Sequence, residues 1–132
     1  MKPDDFEKLG VLQSKVMDVL WELGEATVHE VRDELEKIHK DIAYTTVLST
    51  FQKLEKAGWV KHKTQGRMYV YSAVKGKKQT LATSIKRLVG RVFRGDPMNL
   101  VHHILEAENL SDEELATLRK ILNSKSGKKP NA

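Results

Sequence analysis

Thr45, Thr46, Ser49 and Gln52 place three hydroxyls and a carboxamide within eight residues, and Lys53 and Lys56 follow at once. Short hydroxyl side chains allow close approach to base edges or thymine methyls, Gln can pair with adenine, and Lys neutralises phosphate. On a wheel of about 100° per residue, Val47, Phe51 and Leu54 fall within about 60° of one another, and Thr45, Ser49, Gln52 and Lys56 lie opposite. A plain solvated helix face is the alternative, but such a face usually carries more Glu and Lys and fewer Thr. The set Thr45, Thr46, Ser49 and Gln52 is therefore expected to meet bases, with Lys53 and Lys56 on phosphates. A second polar run, Lys61-His62-Lys63-Thr64-Gln65-Gly66-Arg67, has the make-up of a basic turn, from which Lys63 or Arg67 would reach a minor groove or the flanking phosphates.

Other chemistry finds little support in the sequence. There is no cysteine, which excludes disulfides, thiolate metal sites and thiol nucleophiles. His102 and His103 are adjacent and cannot share a helix face, so no metal site is expected from that pair alone. No acid/base pair, nucleophile triad or phosphate-cradling glycine loop can be recognised, and neither an enzyme activity nor a cofactor is expected.

The elements that must hold these side chains can be read from spacing. Leu9, Leu12, Val16, Val19, Leu20 and Leu23 recur at helical intervals up to Gly24, a natural stop. Thr27 and Glu30 form a capping-box pair ahead of a second helix carrying Val28, Val31, Leu35 and Ile38. The third helix, from about Tyr44 to Ala57, bears the polar face and is closed by Gly58. The period then changes to two: Trp59-Val60 opens a strand, Gly66 turns the chain, and Met68-Tyr69-Val70-Tyr71 returns. A short strand near Ala26 would complete a small sheet. Beyond Gln79 lie a fourth helix ending near Gly95, a fifth introduced by Asp96-Pro97, and a sixth introduced by Ser111 and Glu114.

The expected fold is mainly α with a small β-hairpin or sheet. Residues 1–75 would form a winged helix-turn-helix, 76–123 a three-helix dimerisation domain, and 124–132 a disordered tail. Leu81, Ile85, Leu88, Val92, Phe93, Leu100, Ile104, Leu115, Leu118 and Leu122 give those three short helices more apolar surface than one copy can cover, so a second copy of the chain is the expected partner.

Charge supports a polyanionic partner for the head. Of the 132 residues, 23 are Lys or Arg and 18 Asp or Glu, but positions 44–94 hold twelve Lys and Arg against the single acid Glu55. With a pI near 9.4, this points to double-stranded DNA. A solvated basic surface is the plain alternative. No apolar run approaches a membrane span, and Met1-Lys2-Pro3-Asp4-Asp5 lacks the apolar core of a signal peptide, so a cytoplasmic protein is expected.

The runs Val16-Met17-Asp18-Val19-Leu20-Trp21, Ala43-Tyr44-Thr45-Thr46-Val47, Leu54-Glu55-Lys56-Ala57-Gly58-Trp59-Val60 and Arg67-Met68-Tyr69-Val70-Tyr71 resemble the penicillinase and methicillin-resistance repressors. The likeness extends through Leu100-Val101 and Leu110 to Leu115 as far as Ile121-Leu122. It implies a winged-helix homodimer that represses resistance or stress genes from a palindromic operator. Two departures stand out. Copper-sensing members carry a C-terminal cysteine cluster that is missing here. In β-lactam-responsive members a membrane sensor protease cuts between Asn and an apolar residue in the fifth helix, where this chain has His103 and Ile104. An architectural or broadly binding DNA protein, and a winged helix serving as a protein-interaction module, are the rival readings.

Overall fold

The computed structural model describes residues 6–127 and divides the chain into two compact units, Met1–Leu88 and Val89–Ala132. In the first unit a 3₁₀ turn at Phe6–Lys8 precedes α1 (Val11–Leu23), the short strand β1 (Glu25–Ala26), α2 (Val28–Glu36) and α3 (Tyr44–Lys56). Strands β2 (Val60–Gln65) and β3 (Met68–Ala73) follow, and then α4 (Lys77–Val92) begins. α5 (Pro97–Ala107) and α6 (Asp112–Gly127) lie in the second unit.

Local chemistry sets the helix starts. Thr27 accepts from the Glu30 backbone N–H at 3.2 Å while Glu30 Oε1 receives the Thr27 N–H at 2.8 Å, closing the expected capping box. Ser111 and Glu114 repeat it at 3.0 and 2.9 Å at the head of α6, and Asp96 Oδ1 receives the Met98 N–H at 3.0 Å ahead of α5. Gly58 ends α3 with φ 89°, a conformation that a Cβ would disfavour.

The apolar stripes of α1, α2 and α3 meet in one core. Val16, Met17, Leu20, Val31, Leu35, Val47, Phe51 and Leu54 are inaccessible to solvent, with Trp59 and Tyr71 joining them from the sheet side. The sheet has the order β1-β3-β2, all antiparallel, and β1 pairs Glu25 with Ser72 and Ala26 with Tyr71. Trp21 donates its indole N–H to the Lys75 carbonyl at 2.9 Å, tying α1 to the chain leaving β3.

The structure revises two expectations. Ile38 is 72% exposed because α2 ends at Glu36, and the chain turns through Asp41 with φ 62°. The hairpin turn is only Gly66-Arg67, since Gln65 pairs with Met68; Lys61 to Gln65 belong to β2. The compact N-terminal unit extends to Leu88. It does so because Thr80 on α4 is fully buried and Arg87 Nη1 meets Glu7 Oε2 at 3.0 Å. Burial raises the Glu7 carboxyl pKa, but its own backbone hydrogen bond, Ser84 and Arg87 together hold it below its usual value. Residues 124–127 are helical within α6, and residues 128–132 of the expected tail lie outside the described part.

The C-terminal unit contrasts sharply with the first. From 89 to 126 no described residue is buried. Phe93, Leu100, Leu115 and Leu118 are half-buried, whereas Val92, Met98, Ile104, Leu105, Ile121 and Leu122 stand between 42% and 61% exposed. Val101, Ile104, Leu105, Leu110, Leu118 and Ile121 line an apolar cleft of about 290 Å³ between α5 and α6. Leu81 on α4 is half-buried, and Ile85 and Leu88 are exposed on the same helix.

Candidate nucleic-acid interface

The candidate interface centres on α3, whose two faces differ completely. Val47, Thr50, Phe51 and Leu54 are buried, and Thr50 turns its hydroxyl inward to the Thr46 carbonyl at 2.8 Å. Thr45, Thr46, Ser49, Gln52, Lys53 and Lys56 are all at least partly exposed. The structure thus brings the sequence-predicted reading residues onto one outward surface. With the helix rise of about 1.5 Å per residue, Thr45 to Lys56 spans about 16 Å, long enough to follow several base edges in a major groove.

The hairpin is held against this helix by aromatic and polar contacts. Phe51 on α3 stacks on Tyr71 of β3 at a centroid distance of 4.3 Å and 19°. Glu55 on α3 lies 2.7 Å from His62 Nδ1 on β2, and the His62 ring stacks in turn on Tyr69 of β3 at 4.1 Å. Glu55, the one acid among positions 44–94, therefore has its carboxylate turned to His62. Burial pushes the Tyr71 phenol above its usual pKa, and the Glu55 charge adds to the effect. Tyr71 therefore stays neutral across the physiological range.

Gly66 takes φ 65° at the first position of the two-residue turn, which leaves Arg67 exposed at the tip. Lys63 lies lower on the hairpin, and its ammonium is 3.4 Å from the Glu25 carboxylate, a surface pair with both side chains more than half exposed. Such pairs are weak enough to be exchanged for a phosphate. No group of three or more His, Cys, Asp or Glu suited to a metal ion occurs among the described residues. No described helix is long and apolar enough to cross a membrane.

Sequence reasoning passed over His29, Tyr44 and Tyr69. His29 and Tyr44 are exposed and their rings lie 4.5 Å apart. Together with Thr27, Val28, Leu48, Gln52, Arg67, Met68 and Tyr69 they border an open cleft of about 470 Å³ between α3 and the hairpin. These residues come from α2, α3 and the hairpin, and no spacing rule links them; only the aromatic content of the returning strand hinted at a surface role.

A three-helix core, a third helix with an exposed polar face and a basic hairpin clamped beside it define a winged-helix DNA-binding protein. The sequence pattern of the penicillinase repressor family matches residues 9–124, and the chain belongs to that family, one of transcriptional repressors and not of enzymes. The chain is 26% identical over 111 residues to the methicillin resistance regulatory protein MecI of Staphylococcus aureus (strain N315), covering 84% of this chain and 89% of that one. It is 27% identical over 115 residues to the penicillinase repressor of Bacillus licheniformis, covering 87% and 89%. Among solved structures it is similar to the reduced form of MarR from E. coli, with TM-score 0.50 and 20% identity over 89% of this chain and 78% of that one, a likeness of fold alone. The protein is accordingly a DNA-binding repressor.

Proposed function

We propose that the chain represses resistance or stress genes as a homodimer seated on a palindromic operator, blocking RNA polymerase by occupancy. The observation that carries this reading is the apolar surface of the C-terminal unit, which has no buried residue among those described from 89 to 126. A small helical unit with its Ile and Leu side chains half in water is marginal alone and gains most from a second copy. Residues 76–123 supply that contact, through Leu81, Ile85, Leu88, Val92, Phe93, Leu100, Ile104, Leu115, Leu118 and Leu122. Two heads joined in this way face half-sites related by a twofold axis, and tethering raises the effective concentration of the second head.

Within each head, Thr45, Thr46, Ser49 and Gln52 read bases, while Lys53, Lys56, Lys63 and Arg67 neutralise phosphates. Release follows when dimerisation or DNA affinity falls. A membrane sensor protease acting on this chain would meet the His103–Ile104 bond inside α5, where the Ile104 carbonyl receives the Glu108 N–H at 3.0 Å. Cleavage there requires local unwinding and detaches α6 together with the end of α5.

Selection of bound fragments from genomic DNA, followed by titration against random duplex at fixed salt, tests the function. Selected sites should bind at least about 10³ times more tightly than random DNA. Equal affinity would mean an architectural protein, and no salt-dependent binding a protein-interaction module.

A further inference from the structure

Around α3, at about 100° per residue, three surfaces follow one another: the buried stripe of Val47, Phe51 and Leu54, the stripe of Tyr44 and Leu48, and the reading face of Thr45, Ser49, Gln52 and Lys56, of which Gln52 stands at the border with the middle stripe. The middle stripe forms one wall of the 470 Å³ cleft, and Arg67, Met68 and Tyr69 of the hairpin form the other. Thr27, Val28 and His29 at the start of α2 close its end.

We infer that this cleft is a seat for one deoxyribose-phosphate strand of the operator, and that His29, Tyr44 and Tyr69 are DNA contacts in addition to those on the reading face and the hairpin tip. The inference rests on the proposed reading, in which α3 occupies the major groove and the hairpin the adjoining minor groove. Two neighbouring grooves are separated by a single sugar-phosphate strand, so the space between α3 and the hairpin has that strand as its geometric occupant.

The lining matches such an occupant. A DNA strand alternates an apolar sugar face with an anionic phosphate. The cleft offers Val28, Leu48 and Met68 for the former. For the latter it offers Arg67, Tyr44, Tyr69 and His29, whose side chains carry a guanidinium, two phenols and an imidazole. None of the lining side chains, among the described residues, is acidic. Tyr44 and Tyr69 line the cleft and are 38% and 50% exposed, so a strand can meet them without displacing core. The Tyr44 ring lies 4.5 Å from His29 and the Tyr69 ring 4.1 Å from His62, contacts that narrow the rotamers of both phenols. Preorganised side chains lose little entropy on binding, which favours phosphate contacts from these rings over those from long lysines.

The test uses the full chain, a selected operator and a set of duplexes in which single phosphates are replaced one at a time by uncharged methylphosphonate. H29F and Y44F keep the ring contact while removing the polar groups, and Y69F keeps the stack on His62. Each variant should retain the wild-type melting curve and lose about tenfold in affinity for operator and random duplex alike. Because tyrosine is neutral, Y44F and Y69F should leave the salt slope unchanged, unlike a Lys or Arg replacement. One methylphosphonate position per half-site should weaken the wild-type protein but cost the H29F/Y44F double variant nothing further. Wild-type affinity in all three variants, or equal sensitivity of wild type and double variant at every phosphate, would overturn the inference while leaving the reading intact. A wild-type chain that binds no duplex would overturn both.

Discussion

Replacing Ile104 with Ala should weaken self-association in a measurable and calculable way. Ile104 is 46% exposed in a single copy and lines the apolar cleft between α5 and α6. Full burial of an Ile side chain contributes about 1.5–3 kcal/mol, so covering the exposed half contributes about 0.7–1.4 kcal/mol per copy. A twofold interface uses every residue twice, which gives about 1.4–2.8 kcal/mol per dimer and a dimer Kd raised roughly 10- to 100-fold in I104A. Ile121, 52% exposed on the same cleft, should behave alike. The double variant will fall short of additivity because the two side chains share one surface. Sedimentation equilibrium over a concentration series reads the Kd directly, with a thermal melt confirming that the variant folds. V11A is the control: Val11 is 73% exposed on α1, outside the proposed interface, and its removal should leave association unchanged. A wild-type chain that stays monomeric, or an I104A variant with an unaltered Kd, would refute the reasoning.

Three further outcomes are expected. T45A, S49A and Q52A should each reduce discrimination between operator and random duplex by about 1–3 kcal/mol where the side chain makes a good hydrogen bond or methyl contact to a base, read as the ratio of the two affinities; equal weakening on both DNAs would remove the residue from base readout. K53A, K56A, K63A and R67A should weaken binding to every sequence and flatten the slope of log affinity against log salt by about one unit each, and an unchanged slope would count against a phosphate contact. A fragment ending at residue 88 should melt as a cooperative unit, whereas one ending at 75, without the buried Thr80 and the Arg87–Glu7 pair, should melt at lower temperature; identical melts would show that the start of α4 adds nothing to the head.

Much of this architecture was legible because it is local. Gly24 and Gly58 as stops, Thr27–Glu30 and Ser111–Glu114 as capping boxes, and the period-two run after Trp59 all act within a few residues of one another. The 3₁₀ turn at Phe6–Lys8 has no such signature; what it gains is tertiary, the Phe6 ring lying 5.6 Å from Trp21 and 6.2 Å from Trp59. Apolar spacing carries on smoothly from Val28 to Ile38 although the helix stops at Glu36, since periodicity registers a face and not its end. On α4 likewise the apolar stripe runs through Leu88, where the compact units divide, without interruption. In the site, the reading face of α3 was legible as a helical pattern. The cleft was not, because His29, Tyr44 and Tyr69 meet only through the packing of α2, α3 and the hairpin.

If two chains read one twofold-symmetric site, the stoichiometry of the complex must show it. Fluorescently labelled operator and an isolated half-site, each titrated with the full chain in the ultracentrifuge at constant salt, give the number of chains bound and the affinity together. Two chains on the operator, half-sites spaced by about one helical turn, and an isolated half-site bound at least about 100-fold more weakly are expected. One chain per operator, or equal affinity for the half-site and the whole, would mean that the chain does not read its site as a pair.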